Sequence, residues 1–333
     1  MKHNSPESEE ILSTKATDED LANAWTDEYG VKYSADKTRL LEAPDTLKKY
    51  TIRKGTRVIC YGAFYWCKSL TSINIPDSVT LIGDHAFLEC HKLATINISH
   101  NVTSIGESAF SFCEKLTSIN IPDSVTSIGN GTFSCCTSLT TINIPNGITS
   151  IGDKAFIHCT SLSNINIPNS VTSIGGSAFS GCACLTTINI PNSVTTIGDK
   201  AFSDCISLTT INIPNSVTTI GDKTFEYCKS LTTINIPDSV TSIGKGAFSY
   251  CYSLTTISIP DSITSIGDGS FEKCYSLTTI NIPDSVTSIG DNAFGKCRSL
   301  SFINIPKGTM TKFERLLSDY KDKLVEVDDD LPF

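Results

Sequence analysis

The sequence has no long hydrophobic run: no window approaches the roughly 18 apolar residues of a membrane-spanning helix. Its opening, MKHNSPESEE, has no apolar segment that could form the core of a signal peptide. The chain is therefore expected to have no membrane span and to stay out of the Sec export route. Glycine signatures for phosphate are missing as well. Neither GxGxxG nor GxxxxGK[ST] occurs, so no nucleotide cofactor is expected. His85, His91, His100 and His158 stand at no fixed offset from an acid or nucleophile, so no catalytic residues are expected either. A surplus of positive charge is lacking too. The net charge is -9, and it comes from the ends: residues 1–30 carry eight acids against two bases, and residues 311–333 carry seven against four. Residues 31–310 balance at twenty of each, which argues against direct binding of nucleic acid.

What the sequence does have is one pattern repeated. Cysteines recur in steps of 23 residues from Cys67 to Cys297, eleven in all, and the phenylalanine three residues before each keeps the same step from Phe64 to Phe294. A period of this size marks a solenoid or an array, whose units bury their apolar faces only against their neighbours. Residues 231–253, LTTINIPDSVTSIGKGAFSYCYS, are representative. The inward set is Leu231, Ile234, Ile236, Val240, Ile243, Ala247, Phe248 and Cys251. The alternation Ile234, Asn235, Ile236 predicts a strand of β-branched residues with asparagine outward. Pro237 turns the chain because proline fixes φ and has no N–H. Residues 240–243 form a second extended segment, and Gly244 allows a sharp bend. The spacing of Ala247, Phe248 and Cys251 predicts a brief 3-10 or helical turn closing the coil. Eleven parallel stacked coils at about 4.8 Å each would make a mainly β body roughly 50 Å long.

Fourteen cysteines raise the question of a disulfide framework. Equivalent residues of adjacent coils lie within the Cα window of a disulfide. In-register side chains point the same way, however, and the ladder has an odd number of members. It reads as buried free thiols acting as small hydrophobes, which favours a reducing compartment. No second Cys or His recurs beside it, so no metal site is expected.

The ends differ from the body. Residues 1–28 are polar and acidic, expected to be disordered with a short helix from about Asp18. Residues 29–46 read as a capping hairpin around Ala35 to Thr38. The repeat body spans 47–306, its first unit degraded, with Arg53 at the usual proline and Cys60 at the usual glycine. Residues 307–327 read as a C-terminal cap. There, Thr311 and Glu314 would form a capping box, Phe313, Leu316, Leu317 and Tyr320 share a helical face, and a final strand follows. Residues 328–333 make an acidic tail.

The pattern L-x-x-I-x-I-P-x-x-V-T-x-I-G-x-x-A-F-x-x-C-x-x, over about residues 47–306, resembles the BspA-type leucine-rich repeat family of many bacteria and some protists. The resemblance implies a curved leucine-rich-repeat solenoid with a parallel sheet on one face. In some surface-exposed members it also implies adhesion to host matrix proteins. Separately, Asp328, Asp329, Asp330, Leu331, Pro332 and Phe333 resemble the C-terminal tip of bacterial single-stranded-DNA-binding proteins. That resemblance implies docking to genome-maintenance proteins, with phenylalanine entering an apolar pocket while the aspartates steer.

Two surfaces of the body are candidate sites. Outward strand positions barely vary, as in Thr210, Asn212, Thr233 and Asn235; such rows form either cross-coil hydrogen-bond ladders or a polar binding face. Positions flanking the cysteine vary most, and Tyr227, Tyr250, Tyr252 and Tyr275 should gather into one aromatic patch. That patch is either an interface or filling for the shoulders of the coils. The expected function is a non-enzymatic protein–protein interaction scaffold in the cytoplasm, with protein partners and no small-molecule substrate. The alternative is a surface adhesin exported by a non-Sec route.

Overall fold

A computed structural model describes residues 13–328. Strands one repeat apart lie side by side in parallel: Thr233–Asn235 pairs with Thr256–Ser258, Thr233 opposite Thr256 and Ile234 opposite Ile257. The pairing register is thus the sequence period itself. Ten such strands, from Ser118–Asn120 to Leu324–Val327, form one sheet, and Lys49–Thr51, Ser72–Asn74 and Thr95–Asn97 form another. Two-residue strands make a second side of most coils, as where Ser242–Ile243 runs parallel to Ser265–Ile266. Isoleucine suits these strands because its branched Cβ packs on a pleated, half-buried surface, and Ile234, Ile236 and Ile243 are all buried.

The third side, residues 244–251, is a ribbon of chained turns. The N–H groups of Ala247, Ser249 and Cys251 donate to carbonyls three residues back, while those of Gly246, Phe248 and Tyr250 donate to Asp268, Ser270 and Glu272 of the next coil. Alternate amides therefore bond within the coil and across it, which satisfies the backbone without a helix or a strand. The expected helical turn takes this form because left-handed residues interrupt it: Gly246 lies at φ +58° and Tyr250 at +62°. Every residue that precedes a repeat cysteine has the same positive φ. Gly244 is needed for a different reason. A Cβ there would lie 2.6 Å from the Gly221 carbonyl carbon and 2.7 Å from the Asp222 nitrogen.

Inside, the phenylalanines stack into one spine from Phe64 to Phe294; Phe225, Phe248 and Phe271 follow at centroid distances of 5.4 Å. Each such pair contributes about 0.5–1.5 kcal/mol beyond its burial. The spine ends on tyrosines, with Tyr50 tilted on Phe64 at 6.3 Å and Tyr320 edge-on to Phe294 at 5.9 Å. Beside the spine runs the thiol ladder. Cys251 Sγ donates to the Phe225 carbonyl at 3.2 Å, and Cys228 Sγ to that of Phe202 at the same distance. All fourteen cysteines are unpaired; Cys184 is exposed, Cys135 half-buried and the others buried. Burial pushes the repeat thiols from Cys67 to Cys274 up, Cys205 to about 12, whereas the hydrogen bond with Cys274 holds Cys297 below the ordinary value.

At the N-terminal end, Thr17 caps the helix Asp18–Ala22 reciprocally with Asp20. Trp25–Thr26 pairs antiparallel with Lys32–Tyr33, which pairs antiparallel with Arg39–Glu42. Arg39–Glu42 then runs parallel to Val58–Ile59 and joins the solenoid. The Tyr33 and Tyr50 hydroxyls meet at 2.6 Å, and Tyr50 donates to Asp27 Oδ2 at 2.6 Å.

At the other end, the helix Met310–Leu316 begins before the expected Thr311, and the Thr311–Glu314 capping box does not form. The reason lies across the sheet. Leu324–Val327 runs parallel to Phe302–Pro306, which brings Glu326 to the helix start, where its Oε1 accepts the amides of Gly308 and Met310 at 2.9 and 3.0 Å. Phe313 and Leu317 are buried, and Leu316 and Tyr320 pack against the same core.

Candidate protein-binding surface

The ribbon determines where variable side chains go. Around Cys251 the Tyr252 amide donates to the Tyr250 carbonyl at 3.0 Å, a three-residue reversal. Its central residue is buried, and its flanking residues are half-buried. Stacking the coils in register turns these flanks into two rows. One runs Tyr227, Tyr250, Lys273, Lys296 and the other Lys229, Tyr252, Tyr275, Arg298.

The four predicted tyrosines come together. Tyr227 and Tyr250 stack at 4.1 Å, Tyr252 and Tyr275 at 4.9 Å, and Tyr250 and Tyr252 join the rows at 6.2 Å with a tilt of 58°. Cations complete the rows. Lys273 Nζ lies 3.9 Å over the Tyr250 ring and donates to its hydroxyl. Arg298 lies 4.8 Å from the Tyr275 centroid, and Lys229 5.9 Å from both Tyr227 and Tyr252. The Lys273 ammonium, then the Tyr227 hydroxyl, hold Tyr250 below the ordinary phenol range, whereas the hydrogen bond with Tyr250 pushes Tyr227 up to about 12. The sequence reading picked out the tyrosines and missed these cations. Following the two flanking columns one or two coils further would have found them.

Thr210, Asn212, Thr233 and Asn235 are exposed on the ten-stranded sheet, a different segment of the coil from the tyrosines. Side-chain ladders run mainly on neighbouring rows: Thr232 Oγ1 donates to the Thr209 carbonyl at 3.4 Å and Ser239 Oγ to that of Val217 at 2.6 Å. In the asparagine row itself, Asn304 donates to Asn281 at 2.8 Å near the C-terminal end. Asp328 pairs with Lys307 at 2.9 Å. Asp329, Asp330, Leu331, Pro332 and Phe333 lie outside the described residues.

A feature that sequence reasoning missed is a cavity of about 560 Å³ at the N-terminal end, lined by Leu21, Leu41, Tyr61, Tyr65, His85 and Leu88 among others. Its signal was faint, because Tyr61 and Tyr65 belong to the degraded first repeat. Among the described residues, no group of three or more His, Cys, Asp or Glu could hold a metal, and no helix is long and apolar enough to cross a membrane.

Parallel coils with an isoleucine strand, a proline turn and a phenylalanine–cysteine ribbon define a leucine-rich-repeat solenoid. The chain belongs to the BspA type leucine rich repeat family, whose profile matches residues 43–162, 82–209, 149–275 and 196–316. A leucine rich cell surface protein from Faecalibacterium prausnitzii, known from its crystal structure, is 34% identical. The match covers 88% of this chain and 97% of that one, with a TM-score of 0.58. A leucine-rich repeat protein from Bacteroides ovatus is 29% identical over 92% of this chain and 96% of its own, with a TM-score of 0.51. No curated protein matches. Proteins of this kind are typically interaction or adhesin-like scaffolds.

Proposed function

We propose that the chain is a non-enzymatic scaffold that binds protein partners through its solenoid surface. The observation that carries this reading is the patch of Tyr227, Tyr250, Tyr252 and Tyr275, because half-buried aromatics grouped at a surface are the residues that interfaces favour. The test is to replace all four by serine and compare the partners captured from a native lysate. Loss of wild-type partners with an unchanged circular dichroism spectrum supports the reading. Equal capture by both forms counts against it. The cytoplasm is the compartment we propose, because the exposed thiol of Cys184 favours a reducing environment. Docking of genome-maintenance proteins through residues 328–333 is also part of the proposal and rests on the tail sequence. Deleting these residues is expected to remove a partner and leave the melting temperature unchanged.

A second reading, a surface adhesin binding host matrix proteins, draws on the likeness to the Faecalibacterium prausnitzii cell surface protein. Cell fractionation separates the two. Recovery of the protein only at the cell surface would replace the cytoplasmic scaffold with the adhesin.

A further inference from the structure

Two of the four rings in the tyrosine patch, Tyr250 and Tyr275, are covered on both faces against a ligand that binds by stacking. Tyr227 and Tyr250 cover each other, as do Tyr252 and Tyr275, and outer faces are taken by Lys273 over Tyr250 and Arg298 over Tyr275. Nucleobases bind such platforms through a free aromatic face. What the ledge chiefly offers a partner is ring edges, phenol hydroxyls and cationic heads, which are donors and positive charge.

The charge is also in local surplus. Lys273 and Lys296 share Glu272, each at 3.6 Å, and Lys223 pairs with Glu226 at 3.1 Å. Lys229 and Arg298 are exposed, and among the described residues no carboxylate lies within ion-pair distance of either. Two cations held against rings thus lack a counter-charge within ion-pair distance.

We propose that this ledge binds an extended acidic peptide segment of a partner protein, laid along the solenoid axis with its carboxylates on Lys229, Lys273, Lys296 and Arg298. Lys229 and Arg298 are three coils apart, about 14 Å at ~4.8 Å per coil, which an extended chain spans in about four residues at ~3.3 Å each. Carboxylates suit the site because ammonium and guanidinium groups form their strongest hydrogen bonds with ionised acceptors. The phenol hydroxyls add donors between the cations. This inference rests on the protein-scaffold reading and adds the chemistry of the partner.

The test is fluorescence anisotropy of a short labelled poly-aspartate peptide titrated with the full chain at low salt, with an oligothymidylate of matched charge as the second probe. The peptide is expected to bind saturably and more tightly than the oligonucleotide, and added salt should weaken it. The double variant Lys229→Glu, Arg298→Glu should weaken it about tenfold or more, and the milder Lys229→Ala, Arg298→Ala less in the same direction. Reversing the exposed Lys115, far along the ribbon, should change nothing. Peptide binding indifferent to the double variants, or oligothymidylate bound as tightly as the peptide, overturns the proposal. If the four-serine variant loses its lysate partners while charge reversal has no effect, the scaffold stands and the acidic partner falls.

Discussion

Cys251 shows how far one residue is dictated by its surroundings. Its side chain is fully buried, and its Sγ donates to the Phe225 carbonyl of the preceding coil. From Cys67 to Cys274 the thiols of this row ionise reluctantly because burial penalises the anion, so their folded values lie above the ordinary 9.0, at about 12 for Cys205, whereas the hydrogen bond with Cys274 holds Cys297 below it. Their contribution to stability is complete below the unfolded value and is lost as pH rises through the folded one. The urea midpoint should therefore hold up to about pH 9 and fall between about 9 and about 12, each thiol contributing up to about 1.4 kcal/mol per pH unit. Cys205→Ala should make the fall shallower, measured by denaturation across that range. It should also cost about 1 kcal/mol at neutral pH for the space it leaves. Gly244→Ala tests a different constraint, since the added methyl would press on the backbone of the preceding coil. A loss of about 1–3 kcal/mol is expected in urea denaturation. The buried ladder was legible in sequence because in-register side chains point the same way and their number is odd, both of which disfavour disulfides. The carbonyl that each thiol meets was not, because that depends on how the ribbon folds.

Single elements were read less evenly. The hairpin around Lys32–Tyr33 and Arg39–Glu42 carries its own turn signal, but Trp25–Thr26 is two residues long and acquires its strand state only by pairing. The C-terminal helix was visible from Phe313 and Leu317, yet its start was misplaced. The acceptor for its first amides, Glu326, stands after the helix in sequence and returns to it through the last strand. This arrangement makes the cap one unit. Phe313→Ala should destabilise it by about 3–5 kcal/mol. The effect should appear as faster amide exchange in Phe302–Pro306 and Leu324–Val327, with Thr233–Asn235 still protected. A uniform loss of protection along the chain would contradict the nearest-neighbour picture.

For the whole molecule, the repeat makes length a free variable within one rule. Coils touch only their neighbours, so removing one intact coil should leave two surfaces that fit each other. Deleting residues 231–253 is expected to keep the far-ultraviolet spectrum per residue and to lower the urea m-value in proportion to the surface lost. Deleting only residues 231–241 would instead bring a strand against a ribbon and put the isoleucines out of register, and should yield an aggregating chain. At this scale nearly the whole fold was legible, since strand register and sequence period are the same quantity. The proposed binding surface was legible only in its aromatic half. Lys229 and Arg298 enter the proposal through the rings they approach, and that relation depends on which columns face outward together.

The left-handed residues before each repeat cysteine separate recognition from endurance. That conformation costs a residue other than glycine about 1 kcal/mol, and glycine occupies it in one coil, at Gly181. The other ten coils carry a side chain there. Tyr227, Tyr250, Lys273 and Lys296 stand where the backbone argues against them, so the side chains of the proposed ledge come at a backbone cost that glycine would avoid. The same column is where substitutions would alter the proposed binding surface with the least disturbance to the core.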